Sequence, residues 1–191
     1  MYSCTGNNTI DNIVLNAGDL VICTFTNTKL RTISGYKYYD KDGSVTTEDD
    51  RDSIEGWEIF IDLNRNGMKD DGETRTTDSE GYYEFTNLIP GTYTVKEIYS
   101  INDWFYLETD EIEVTLTAEK DKTDVNFINV QYGSIQVLKN VDGNGDGDLD
   151  DDVDVKGSDQ WNWTINGETV GKTGTTKSQL RPGRYEIKET G

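Results

Sequence analysis

The eight residues Pro90-Gly91-Thr92-Tyr93-Thr94-Val95-Lys96-Glu97 return almost unchanged as Pro182-Gly183-Arg184-Tyr185-Glu186-Ile187-Lys188-Glu189. Each copy opens on a Pro-Gly turn and continues as a β-strand, in which successive side chains point to opposite faces. Tyr93, Val95 and Glu97 therefore share one face, as do Tyr185, Ile187 and Glu189. Both strands thus set a carboxylate in line with apolar side chains. A carboxylate facing a core is costly unless a partner compensates it, so the rest of the chain must supply what these glutamates meet.

Around the first copy, residues 31–130 read as one complete all-β module. Strands are expected at 32–39, 57–61, 81–85, 92–98, 111–116 and 123–130, with turn residues between them and no helical period. Ile33, Gly35 and Lys37 share a face of the first strand, and Val125, Phe127 and Asn129 share a face of the last. Residues 131–191 begin in the same way, with Ile135, Val137, Lys139 and Val141 on one face, but the closing strands do not follow. They are found at the other end, where Thr24-Phe25-Thr26-Asn27 answers to Asn126-Phe127-Ile128-Asn129. Residues 1–30, too short to fold alone, read as a hairpin of 13–15 and 20–25 about an Asn16-Ala17-Gly18-Asp19 turn. The expected organisation is one whole module flanked by the closing half (1–30) and the opening half (131–191) of another.

Each module then holds three polar side chains on apolar strand faces: Lys37, Glu97 and Asn129 in the complete one, Lys139, Glu189 and Asn27 in the divided one. Each would bear a desolvation penalty of roughly 1 to 3 kcal/mol if unpaired. Burial favours a neutral amine and a neutral carboxylic acid. A neutral amine beside an asparagine amide carbon is a nucleophile, and a protonated glutamate can polarise the amide oxygen and shuttle protons as ammonia leaves. The alternative is a buried ion pair capped by asparagine, with no covalent bond; the bond is the favoured reading. Histidine is absent, so any chemistry must come from carboxylates, amines, amides and hydroxyls.

These elements resemble the Cna-B-type repeats of Gram-positive surface adhesins and the B domains of serine-aspartate-repeat proteins. The matching features are the first-strand lysine (Lys37, Lys139), the P-G-x-Y-x-V/I-K-E strand (Glu97, Glu189) and the closing F-x-N (Asn129, Asn27). The resemblance implies tandem immunoglobulin-like β-sandwiches and a spontaneous Lys-to-Asn isopeptide bond assisted by the glutamate. Several B domains keep the fold without the bond.

Residues 62–73 place Asp62, Asn64, Asn66, Asp70 and Glu73 at loop positions 1, 3, 5, 9 and 12, with Gly67 at position 6. This is the EF-hand spacing, suited to Ca2+ with its all-oxygen ligand shell; a solvated acidic turn is the plainer alternative. A second loop carries Asp142, Asn144, Asp146, Asp148 and Asp150, but Val153 stands at position 12, so Asp151, Asp152 or Asp154 would have to complete it. Asp40 and Asp42, with the Glu48-Asp49-Asp50-Arg51-Asp52 run, suggest a third site that departs from the spacing.

Lys and Arg total 18 against 37 Asp and Glu, a formal charge of -19, which argues against nucleic acid or an anionic membrane as partner and for cations. No apolar run has the length of a membrane span, and no signal peptide is recognisable at the N-terminus. Cys4 and Cys23 bracket the N-terminal hairpin, and the extracellular look of the composition favours a disulfide worth roughly 3 kcal/mol on the chain-entropy model.

The expected role is a structural segment of an extracellular bacterial surface stalk, adhesin or filament, with no enzymatic turnover beyond single-turnover bond formation. Its partners would be neighbouring copies of the same protein. The divided module could close within the chain, complete itself head to tail with the next copy through a covalent bond, or reflect where a longer repeat was cut; the second and third are favoured. A ligand- or carbohydrate-binding adhesive module is the alternative, resting on Trp161, Trp163 and the Trp104-Phe105-Tyr106 cluster. Aromatics so spaced are more often packing. A glycosidase finds no carboxylate pair singled out by position.

Overall fold

The structure is a computed structural model that describes residues 2–6, 8–98, 103–140, 142, 145, 147 and 161–190. Its described elements are all strands. Residues 31–131 form two sheets packed face to face. The first is ordered β4 (Arg51–Ser53), β3 (Arg31–Asp40), β11 (Phe127–Gln131), β9 (Trp104–Tyr106), with β7 (Tyr82–Leu88) also pairing β3. The second is ordered β10 (Glu111–Leu116), β8 (Gly91–Ile98), β5 (Glu58–Asp62), β6 (Thr74–Thr76). One core joins them: Ile33, Phe85 and Phe127 from the first sheet, with Val125 just before β11, meet Ile59, Ile61, Val95 and Val114 from the second, each 2% exposed or less. This is the sandwich that the alternating strands predict.

Six expected strands are found, the last of them beginning at Phe127 rather than at 123, while β4, β6 and β9 were not foreseen. Each is three residues long, too short to show a period. The first and last strands pair in parallel, Phe127 opposite Lys37 and Asn129 opposite Tyr39. Gly35 permits this approach, since a Cβ added there would lie 1.8 Å from the Val125 carbonyl oxygen.

The N-terminal hairpin differs from expectation. Tyr2–Cys4 (β1) pairs antiparallel with Cys23–Phe25 (β2), and residues 13–15 form no strand. Cys4 and Cys23 form a disulfide and stand directly opposite in the register. The bond therefore selects β1 as partner, and no sheet covers Ile13, Val14 and Leu15, which stay exposed. The Asn16–Asp19 turn is present, closed by Asp19 N–H to the Asn16 carbonyl at 3.1 Å.

In the C-terminal unit β12 (Gly133–Gln136) pairs β15 (Thr176–Leu180), and β13 (Asn162–Ile165) lies between β14 (Glu168–Lys172) and β16 (Ile187–Thr190). Ile135, Val137 and Lys139 are half-buried while Gln136, Leu138 and Asn140 are exposed, the alternation expected of a first strand. Trp163 and Ile165 are buried, whereas β16 is exposed throughout.

Candidate functional site

Lys37 sits where β3 changes neighbours. Its N–H donates to the Gly81 carbonyl at 2.8 Å and its carbonyl accepts from Ile54 N–H at 3.0 Å, so the backbone is held on the side that passes from β7 to β4. The side chain points inward with Ile33, and Glu97 points back from the facing sheet on β8. Lys37 Nζ lies 3.1 Å from Glu97 Oε2, and neither side chain has any exposed surface. The ammonium also lies 4.8 Å from the centre of the Trp57 ring. Asn129, two residues beyond the position opposite Lys37 on the parallel neighbour β11, is 0% exposed.

Burial acts against both charges. It pulls the Lys37 amine down to about 8, with the Glu97 charge and hydrogen bond opposing the fall. Burial raises the Glu97 carboxyl, against the pull of Lys37 and of a hydrogen bond from Asn129. Both Glu97 oxygens and both amide atoms of Asn129 lack a well-aligned hydrogen bond. The 3.1 Å contact is thus close enough for an ion pair but poorly directed as a hydrogen bond. A buried carboxamide with neither atom well bonded is uncommon, and it lies among an amine and a carboxyl that are both driven toward neutrality.

The divided set is assembled only in part. Lys139 Nζ lies 3.0 Å from Glu189 Oε2, repeating the first pair, but the two side chains are 33% and 41% exposed. Trp161 takes the place of Trp57, its ring 5.1 Å from Lys139 Nζ. Asn27 lies outside any strand and is exposed; β2 pairs with β1 in a separate two-stranded sheet.

The loop after β5 is closed by hydrogen bonds among its expected ligands, though Asp62, Asp70 and Glu73 do not come together as the Asp40, Asp42 and Asp50 carboxylates do. Asp62 and Glu73 are buried, 6% and 3% exposed. Asp62 accepts from Asn66 N–H (3.1 Å) and Gly67 N–H (2.9 Å), and Glu73 accepts from Leu63 N–H (2.9 Å) and Asp70 N–H (3.0 Å). The Asn64 and Asn66 amides converge on Asp70 Oδ2 at 2.6 and 2.8 Å. Gly67 has φ of 74°, the left-handed turn that position 6 requires. Among the described residues none of the three carboxylates forms an ion pair with Lys or Arg; the nearby Lys69 pairs with Glu58 instead. The acid is met by backbone N–H and asparagine amide donors rather than by cationic side chains.

Asp40, Asp42 and Asp50 bring carboxylate oxygens within 4.8 Å of one another. Asp50 belongs to the acidic run but was not singled out, because its approach depends on how β3 and β4 are joined. Asp40, fully buried, already pairs with Arg51 Nε at 3.1 Å. Of the expected ligands in the second EF-hand-like loop only Asp142 is among the described residues; Asn144, Asp146, Asp148 and Asp150 lie outside them. Asp142 accepts from Gly145 N–H and from Gly147 N–H. The aromatics behind the adhesive alternative are mostly packing: Trp163 is 0% exposed, Phe105 7%, and Trp104 stands edge-on to Trp57 and Tyr39.

Residues 29–131, more than half of the chain, match the family described as SpaA, prealbumin-like fold domain. Among curated proteins, Colossin-A of Dictyostelium discoideum is 26% identical over 167 residues, 81% of this chain but 2% of its own length. Among solved structures, the minor pilin GBS52 of Streptococcus agalactiae is similar with TM-score 0.43 and 17% identity, covering 70% of this chain and 66% of that one. The Bacillus anthracis TIE protein is similar with TM-score 0.47 and 17% identity, covering 90% of this chain and 28% of that one. The chain thus spans less than two thirds of each of these proteins.

Proposed function

The chain belongs to the family of SpaA prealbumin-like fold domains, and on that premise we propose that it is a structural segment of an extracellular stalk, adhesin or filament, locked by an internal isopeptide bond. The observation that carries this reading is Lys37 and Glu97 at 3.1 Å, both shut off from solvent, beside the buried and poorly bonded Asn129 amide. The neutral Lys37 Nζ attacks the Asn129 side-chain carbonyl carbon. Glu97, as the acid, donates to the carbonyl oxygen, then carries a proton from the attacking nitrogen to the departing one. A C–N bond to Lys37 replaces the C–N bond of the amide, and one ammonia leaves. The bond would tie β3 to β11, first strand to last, so that tension passes through covalent links rather than through a peelable sheet.

Calcium at Asp62, Asn64, Asn66, Asp70 and Glu73 would brace the β5–β6 connection. Of the two outer pieces, one exposes what the other lacks. Ile13, Leu15 and Phe25 are exposed, while Phe127, which answers to Phe25 in the complete module, is 1% exposed. Completion of the 131–191 unit by a segment like 1–30 would bury these residues and bring an asparagine to Lys139 and Glu189. The segment could come from a neighbouring copy or from the same polypeptide.

The intact mass of the folded protein after reduction tests the bond. A deficit of one ammonia that disappears in Asn129→Ala supports it, and a full mass opposes it. Crosslinked ladders on a denaturing gel, lost in Asn27→Ala, would support completion between copies.

A further inference from the structure

A cleft of about 410 Å3 opens between the sandwich and the C-terminal unit, within the range of roughly 300 to 1,000 Å3 typical of small-molecule sites. Its walls include Tyr39, Tyr132 and Tyr185, with Lys41, Gln131 and Arg181. Turns from the two units meet beside it, since a Cβ added to Gly43 would lie 3.6 Å from Pro182 Cγ. Asp and Glu make up 37 of the 191 residues, yet none of the described residues lining this cleft is acidic while two are cationic.

Arg181 is the feature that points to a ligand. Its guanidinium lies 4.2 Å from the centre of the Phe105 ring, and Phe105 in turn packs on Tyr132 with ring centres 4.7 Å apart. The Tyr185 hydroxyl donates to the Arg181 carbonyl and steadies its backbone. The contact with Phe105 holds the exposed guanidinium at the wall of the cleft, and no ion pair with a carboxylate engages it among the described residues. The planar fork of an arginine suits a carboxylate taken up through two hydrogen bonds. Lys41 on the exposed rim is already paired with Asp52 at 2.8 Å and contributes little. The tyrosine rings offer flat apolar faces, and Gln131 and the tyrosine hydroxyls offer polar contacts; together they match a ring that is apolar on its faces and hydroxylated at its edge.

We propose that this cleft binds a carboxylate-bearing saccharide, with Arg181 on the carboxylate and the tyrosines against the sugar ring. The site is separate from the isopeptide residues, and its test stands whether or not that bond forms. Titration calorimetry of the full chain with glucuronic acid, glucose, acetate and an acidic hexapeptide decides it. Glucuronic acid is expected to bind, with glucose and acetate each about tenfold weaker or worse. Arg181→Gln should abolish binding while lowering the melting temperature only slightly, because the side chain is exposed and gives up one contact with Phe105. Arg181→Lys, which keeps the charge and loses the fork, should weaken it by about tenfold. No binding of glucuronic acid at millimolar concentration would overturn the proposal, as would binding indifferent to Arg181→Gln. Tighter binding of acetate or of the peptide would overturn the saccharide assignment.

Discussion

Lys37 and Glu97 meet across the sandwich at 3.1 Å with neither side chain exposed, whereas Lys139 and Glu189 meet at 3.0 Å with a third or more of each side chain exposed. The strand pattern that delivers each pair is the same. What differs is the rest of the module, and burial is what turns an ordinary ion pair into a candidate for chemistry, because only burial drives amine and acid toward their neutral forms.

Glu97→Gln should therefore be far more damaging than Glu189→Gln. Removing one partner of a buried pair costs about 3 to 5 kcal/mol, and the ammonia should be retained because the proton carrier is gone. An exposed pair contributes about 1 kcal/mol or less. Urea unfolding and intact mass of the two variants check this; equal effects would place the two pairs in equivalent environments.

In the unbonded Asn129→Ala protein the buried lysine should leave a pH signature. Its folded pKa is depressed from 10.5 to about 8, so between these values the unfolded state binds the proton more strongly. Stability should rise with pH across that window, by at most about 1.4 kcal/mol per unit. Glu97, raised above its ordinary value, acts in the opposite sense at lower pH, where stability falls as pH climbs through the window above 4.5. Comparing urea midpoints of Asn129→Ala and Lys37→Met/Asn129→Ala from pH 8 to 10.5 isolates the lysine contribution; identical profiles would contradict it.

Gly35→Ala should weaken the contact of β3 with the closing segment. The added methyl would sit 1.8 Å from the Val125 carbonyl oxygen, a clash that only backbone displacement can relieve. A loss of roughly 1 to 3 kcal/mol is expected. Gly133→Ala, whose nearest contact is the Leu180 carbonyl oxygen at 3.8 Å, should be close to neutral. Thermal melts of the pair provide the check.

Calcium should raise the melting temperature through the 62–73 loop. At free calcium about 100 times the dissociation constant, the gain is about 2.7 kcal/mol. Asp62→Ala should abolish the increment attributable to this loop. A melting curve unmoved by calcium or chelator would count against the loop as a metal site.

The sandwich and its Lys37, Glu97 and Asn129 triad were legible in the sequence because strand alternation assigns each residue a face, and matching faces in two modules revealed the polar exceptions. The EF-hand spacing of residues 62–73 was legible because its residues are close in sequence. Strands β4, β6 and β9 carry three residues each and leave no periodic trace. The hairpin at 13–15 was misread because an apolar run does not say which partner it finds, and the Cys4–Cys23 bond draws in Tyr2–Cys4 instead. The Arg181–Phe105 stack joins residues distant in sequence, from two units, and nothing local announces it.

The most direct measurement is peptide mapping of the folded, reduced protein by mass spectrometry. A branched peptide is expected in which Lys37 is joined to Asn129, lighter by one ammonia than its two parts; the bond is worth roughly 4 to 5 kcal/mol of stability by the chain-entropy estimate for so long a loop. Separate Lys37 and Asn129 peptides of full mass, recovered from protein folded to completion, would contradict it.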